Sequence, residues 1–257
     1  MSLKSLLRRI VPASWRPWIR RYHTRAYYFG LARRCNICGG RWRSFLPHGI
    51  DLPPAYHVEP DFLCPMCRSK PPHRLVCLYL DAHQELFVRG GLLVHVAPEH
   101  GFGPSLAKAA AAHGMCYRSG DIRAAGDAHL DIVNMPFPDG SVSLFYCCHV
   151  LNSLQDDRAA MREVLRVLHP DGLAILQVPA FYWGETTQET NSAEERMAAF
   201  GDDGIYRNYT DDDFRNRLRA TGFEVSVFST TELPPQIVGC LQLKREFVHL
   251  CRKSKQA

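Results

Sequence analysis

Two identical knuckles, Cys35-Asn-Ile-Cys38 and Cys64-Pro-Met-Cys67, bring four soft donors into one short stretch of chain. A two-residue spacer lets both sulfurs of a knuckle turn toward one ion, and tetrahedral zinc takes four thiolates at about 2.3 Å. The 25 residues between the knuckles are a slightly long but ordinary ribbon loop. Four cysteines would close the coordination sphere to water and substrate, so the chemistry expected of Cys35, Cys38, Cys64 and Cys67 is structural. The metal would hold together a segment too small for a core of its own. His73, close behind, reads as a packing or surface position.

A second set of chemically suited residues follows. His95-Val-Ala-Pro-Glu-His-Gly-Phe-Gly103 forms the turn after an apolar run, Leu92 to Ala97, and its small residues let a ligand approach the backbone. Asp121 follows a second such run and Asp131 ends a third. Carboxylates at strand ends can accept ribose hydroxyls and an exocyclic amine, so both acids are expected over one crevice.

The elements that must position these groups are legible as an alternation. Leu75 to Val88 places Val76, Tyr79, Leu80, His83 and Phe87 near one helical face and stops at Gly90-Gly91. Strands are expected at Leu92–Ala97, Met115–Ser119, His129–Ile132, Val142–Val150, Leu173–Val178, Phe223–Phe228 and Glu246–Cys251. Between them lie a small-residue helix from Pro104, the amphipathic Asp156–Leu168, and a helix opened by the capping box Thr210-x-x-Asp213 and closed by Gly222. The last two strands, joined by a long non-helical connection, are expected to be antiparallel. This is an α/β pattern: a Rossmann-like, mostly parallel seven-stranded sheet with helices on both faces, preceded by the small ribbon. The chain divides into a basic leader (1–34), a zinc ribbon (35–74) and the α/β domain (75–257).

With 257 residues and 46% hydrophobic content the chain can bury one full domain plus an appendage. Cys77, Cys116, Cys147, Cys148, Cys240 and Cys251 sit mostly in apolar runs as reduced thiols, which implies a reducing, cytoplasmic compartment. Adjacent Cys147 and Cys148 read as alternate positions of a buried strand. The net charge of +5 hides an asymmetry, because the first 50 residues hold eleven Lys or Arg and no acid. The leader interleaves arginines with Trp15, Trp18, Ile19 and other apolar residues, a mixture suited to an anionic membrane surface, to nucleic-acid phosphates, or to a solvated arm. Pro12 and Pro17 are expected to break it, and no stretch approaches the roughly 20 apolar residues of a bilayer span.

In their order, these pieces resemble class I S-adenosylmethionine-dependent methyltransferases, specifically a bacterial group with an amino-terminal zinc ribbon. The resemblance is carried by Leu93-Val-His-Val-Ala-Pro-Glu99, Ser119-Gly-Asp121, Asp131-Ile-Val-Asn-Met-Pro-Phe-Pro-Asp-Gly140, His149-Val-Leu151, Arg166-Val-Leu-His-Pro-Asp-Gly172 and Ala174-Ile-Leu-Gln-Val-Pro179, and by Arg43-Ser-Phe-Leu-Pro47 and His73-Arg74 in the ribbon; it spans about residues 35–251. It implies S-adenosylmethionine as cofactor beside structural zinc. Ala97, Glu99 and Gly101 would meet the methionine end, Asp121 the ribose, Asp131 and Ile132 the adenine, and His149 the shelf after the fourth strand. The chain departs from the general pattern at Ala97 and Glu99, where glycines are usual, and at Asn152-Ser153, where Glu-His is common. His149 is the candidate general base, with Tyr182 and Glu185 on the acceptor side. The acceptor is unidentified, a small molecule or glycan being favoured over RNA. An RNA methyltransferase guided by the ribbon and a non-catalytic cofactor-binding module are the alternatives.

Overall fold

A computed structural model describes residues 12–52, 55–124, 128–179 and 186–254. Helix α1 (Arg16–Tyr28) runs directly into β1 (Phe29–Arg34), which pairs antiparallel with β2 (Arg41–Trp42). The hairpin β3 (Leu46–Leu52) and β4 (Ala55–Leu63) completes the ribbon. The end of the basic leader is therefore a ribbon strand. Pro17 does not break the helix but begins it, since a proline in the first turn gives up only an N–H that would have had no helical partner.

After the ribbon come α2 (Pro71–Ala82), β5 (Leu92–Val96), α3 (Gly103–Ala112), β6 (Cys116–Gly120), β7 (Val142–Cys148), α4 (Asp157–Val167) and β8 (Leu168–Gln177). The short pair β9 (Gln188–Glu189) and β10 (Arg207–Asn208) flanks α5 (Ala193–Phe200). The chain ends in α6 (Asp211–Thr221), β11 (Phe223–Ser229), α7 (Pro235–Leu241) and β12 (Phe247–Lys253). Helix α2 starts four residues before its expected start because Pro71 and Pro72 occupy its first turn, while the His73 imidazole accepts the Lys70 N–H. The boundary drawn at residue 74 thus falls inside a helix.

The central sheet has six strands in the order β11-β12-β8-β7-β5-β6, with β5, β6, β7 and β8 parallel and β11 and β12 antiparallel. Alternate strand residues feed two cores. Val94, Val96, Phe145 and Cys147 face α4 and α6; Leu93, Leu144, Tyr146 and Cys148 face α2, α3 and α7. Cys147 and Cys148 consequently lie on opposite faces of one buried strand.

The sheet differs from the expected seven strands at His129–Ile132. Only a parallel bridge, Asp121 to His129, stands there. Leu130 and Ile132 are buried, but Asp131 turns the backbone by accepting the Val133 N–H at 3.0 Å, which ends pairing after one residue. The connection between β11 and β12 is also not wholly irregular, since it contains α7. Elsewhere local chemistry sets the ends as the sequence implies: Asp156 caps α4 by accepting the Ala159 N–H, and Thr210 caps α6 by accepting the Asp213 N–H.

Candidate functional site

The two knuckles fold alike. The N–H of Cys35 bonds the carbonyl of Gly40 at 2.9 Å, and that of Cys64 bonds Ser69 at 3.0 Å. In each, the residue after the second cysteine is left-handed: Gly39 at φ 69° and Arg68 at φ 62°. Glycine takes that conformation without strain; Arg68 is held in it by its surroundings. All four sulfurs lie within 4.8 Å of one another, with Cys35 to Cys67 at 3.6 Å and Cys38 to Cys64 at 3.7 Å. A tetrahedron with metal–sulfur bonds of about 2.3 Å has edges of about 3.8 Å, so the cluster is the size a zinc ion requires. The neighbouring thiols of Cys38, Cys64 and Cys67 drive Cys35 far down as a thiolate, while their sharing of protons pushes Cys38 and Cys64 up. Four sulfurs can all be anionic in so small a space only around a cation.

Arg74 fastens this cluster to the α/β domain. Its guanidinium is fully buried and donates to the carbonyls of Phe62 and Ser69 in the ribbon and of Leu241 and Gln242 in the domain. Burial pushes it down to about 10, opposed by the charges of Cys35, Cys64 and Cys67. The sulfur cluster thus supplies part of the counter-charge that lets a guanidinium sit in the interior.

The cofactor crevice of an open α/β sheet lies beyond the carboxyl ends of the strands where strand order reverses, here between β5 and β7. Backbone hydrogen bonds stitch the predicted residues together along that edge. The Ala97 N–H donates to Gly120 at 2.8 Å, the Asp121 N–H to Ala128 at 2.9 Å, and the Leu130 N–H back to Asp121 at 3.2 Å. A side chain on Gly120 would meet Leu130 Cβ at 2.5 Å, so the close crossing that carries Asp131 beside Asp121 depends on this glycine. Each carboxylate is tied to its own turn by one oxygen: Asp121 Oδ1 accepts the Arg123 N–H at 2.7 Å and Asp131 Oδ1 the Val133 N–H. Ile132 is buried in the adjoining core.

His149 closes the other side of the switch, its N–H bonded to Gln177 at 2.9 Å. Ala97 and His149 both have left-handed backbones, at φ 51° and 56°, so the two strand ends flanking the crevice are conformationally strained. Burial pushes the His149 imidazole down to about 3, with His73 and Lys70 adding to the effect. Such a ring is neutral at pH 7 and a weak proton acceptor, which suits a shelf better than a base. Tyr182 and Glu185 lie outside the described residues.

Glu99 and Gly101 take parts that their sequence positions do not reveal. The Glu99 carboxylate turns to the α2 face, where His73 Nε2 approaches at 3.2 Å and His95 Nε2 at 3.1 Å. The Lys70 N–H donates to His73 Nδ1, which leaves Nε2 to carry the proton toward Glu99. His95 Nδ1 meets the Tyr117 hydroxyl at 2.9 Å. Burial alone would raise the Glu99 carboxyl, but the hydrogen bonds from His73 and His95 overcome it and hold the group well below the ordinary glutamate range. Gly101 faces the second knuckle: a side chain there would come within 2.1 Å of the Cys67 carbonyl oxygen. The cofactor loop is thus held at two points, by the second knuckle at Gly101 and by α2 through His73 at Glu99. His73, His95, Tyr117 and Arg74 are the site residues that sequence reasoning missed; the adjacent pair His73-Arg74 was the one signal, and it carried no hint of its partners.

Residues 106–176 match the family model described as methyltransferase domain, a span from within α3 almost to the end of β8. No curated protein matches the sequence. Among solved structures, CurJ carbon methyltransferase superposes with a TM-score of 0.50 at 16% identity, over 72% of this chain and 54% of that one. The chain thus spans about half the length of CurJ. The 1,6-didemethyltoxoflavin-N1-methyltransferase of Burkholderia thailandensis gives 0.49 at 15% identity, over 72% and 79% of the two chains. Phosphoethanolamine N-methyltransferase 2 of Haemonchus contortus gives 0.47 at 12%, over 70% and 52%. The CurJ likeness thus gives the α/β portion the fold of that methyltransferase, and the stretch 106–176 within it resembles the methyltransferase-domain family.

Proposed function

We propose that this chain methylates a small-molecule or glycan acceptor and that Cys35, Cys38, Cys64 and Cys67 hold a structural zinc ion. The observation that carries the reading is the hydrogen-bonded edge Ala97–Gly120–Asp121–Leu130, which joins the chain positions of two strand-end acids to a strained turn at the switch point. S-adenosylmethionine, when bound, supplies a methyl group already activated on a sulfonium, so no protein group need assist its departure. Asp121 is placed to accept ribose hydroxyls and Asp131 an adenine amine. The loop from Ala97 to Gly101 bounds the methionine end and His149 forms the facing shelf. Because Glu99 is turned onto His73 and His95, its side chain leaves the crevice edge to the loop backbone. What remains for the protein is alignment, an effect worth about 7–11 kcal/mol in well-oriented systems.

The pairing of arginines near the loop after β7 favours a small or glycan substrate over RNA. Arg207 donates to the carbonyls of Leu151, Leu154 and Gln155, and with Arg217 it is engaged by Asp157 and Glu189. These cations brace the loop after β7 and are consumed by nearby acids, so they offer little to a phosphate backbone. The test is calorimetric titration with S-adenosylmethionine, followed by mass spectrometry for methyl groups gained when protein and labelled cofactor are incubated with extract fractions. Labelled metabolites or glycans support the reading, labelled RNA refutes the acceptor class, and binding without any transfer refutes turnover.

A further inference from the structure

Helix α1 has no buried residue along its whole length. Trp15 just before it, then Trp18, Ile19 and Tyr22, are exposed by 64%, 80%, 49% and 76%. Their spacing of three, four and seven puts them in one stripe of a helix with 3.6 residues per turn. At 100° per residue, Arg16 and Arg21 fall on the two flanks of the stripe and Arg25 at its edge, with Arg20 and Thr24 on the opposite face. Exposed Phe29 and Leu31 extend the apolar surface into β1. The helix is fixed at its carboxyl end, where the Arg43 N–H donates to the Tyr28 carbonyl at 2.8 Å and the Arg43 guanidinium lies 4.3 Å from the centre of the Tyr27 ring.

We infer that α1 is an in-plane docking helix for an anionic lipid surface. A merely solvated helix has no use for two tryptophans, an isoleucine and a tyrosine aligned in water. A partner chain recognised by charge would meet the arginines, but here the centre of the face is apolar and the cations border it. A bilayer interface fits that order: apolar side chains enter the acyl boundary while flanking arginines reach the headgroup phosphates. RNA would have to place its phosphates against the Trp–Ile stripe. The geometry excludes spanning, because 13 residues make about 20 Å of helix against about 30 Å of hydrocarbon. Charge complementarity extends beyond the helix, since none of the first 50 residues is acidic. The docked helix would present the ribbon, and the crevice it braces, at the lipid surface.

The test uses the full chain with phosphatidylcholine vesicles, with and without phosphatidylglycerol. Sedimentation with the anionic vesicles and a blue shift of tryptophan emission are expected, with little binding to the neutral ones. Arg21→Gln with Arg25→Gln weakens binding roughly 30-fold if each surface arginine acts independently. Trp18→Ala with Tyr22→Ala abolishes the blue shift while circular dichroism and cofactor titration stay unchanged. Three results would overturn the inference: no difference between vesicle types, salt-sensitive binding to single-stranded RNA that survives Trp18→Ala, or a concentration-dependent dimer that Trp18→Ala dissolves without vesicle binding.

Discussion

Gly101→Ala probes the junction where the sulfur cluster meets the cofactor loop. The added methyl would lie 2.1 Å from the Cys67 carbonyl oxygen and 3.1 Å from the Ser69 nitrogen, where ordinary contact begins near 3.4 Å. Loop and knuckle must therefore part by more than an ångström. Neither side yields easily. The oxygen belongs to the backbone of Cys67, whose knuckle is closed by the Cys64 N–H to Ser69 bond, and the loop is tied by Ala97 to Gly120 and by Glu99 to two histidines. Overpacking of this kind costs about 1–3 kcal/mol, and rigid neighbours place it in the upper part of that range. For a chain of this size each kcal/mol moves the melting midpoint by about 2–4 °C, so a fall of roughly 4–10 °C is expected. The assay pairs thermal melting with S-adenosylmethionine calorimetry and the rate at which a chelator removes zinc. Whichever side moves, cofactor affinity falls or metal loss accelerates along with the lowered midpoint. Gly239→Ala is the control, because nothing lies within 4 Å of its added methyl. A Gly101→Ala protein with unchanged midpoint, cofactor affinity and chelation rate would refute the claim that the knuckle supports the loop.

Three further expectations follow from the same geometry. Asp121→Ala, which removes an acceptor at the crevice edge, weakens S-adenosylmethionine binding by about 1.5–3 kcal/mol in titration calorimetry; an unchanged dissociation constant in a folded variant places the ribose elsewhere. Cys35→Ser with Cys38→Ser brings zinc, measured by elemental analysis, to near zero and weakens cofactor binding because Gly101 and Arg74 lose their support; retained stoichiometric zinc rejects the four-cysteine assignment. Glu246 is buried and pushed up to about 8 by that burial, partly offset by Arg74 and Lys70, so the folded protein holds a proton that the unfolded chain releases near pH 4.5. Stability from this group is lost as pH rises between those values. Glu246→Gln should therefore be stabilised relative to the parent at pH 9 but not at pH 5, as read from denaturant midpoints.

What the sequence by itself determined is the local chemistry. The doubled Cys-x-x-Cys spacing, the apolar runs that became β5 and β7, the caps Asp156 and Thr210, and the glycine stop at 222 are set by interactions among residues a few positions apart. Those interactions leave a readable period or punctuation. The order of strand-end acids likewise put Asp121 and Asp131 at one edge of the sheet, because topology brings strand termini to one edge whatever the loops contain. Local rules also produced the misreadings. Pro17 reads as a breaker unless it is known to lie in the first helical turn, and His129–Ile132 reads as a strand although Asp131 folds back on its own backbone after one bridge. Only the tertiary structure decided that Gly101 packs on the second cysteine knuckle, that Glu99 belongs to His73 and His95, that Arg74 joins the ribbon to carbonyls 167 and 168 positions away, and that the aromatic stripe of α1 finds no cover among the described residues. Contacts over such separations are fixed by how whole elements pack, and packing leaves no periodic mark at either end of the contact.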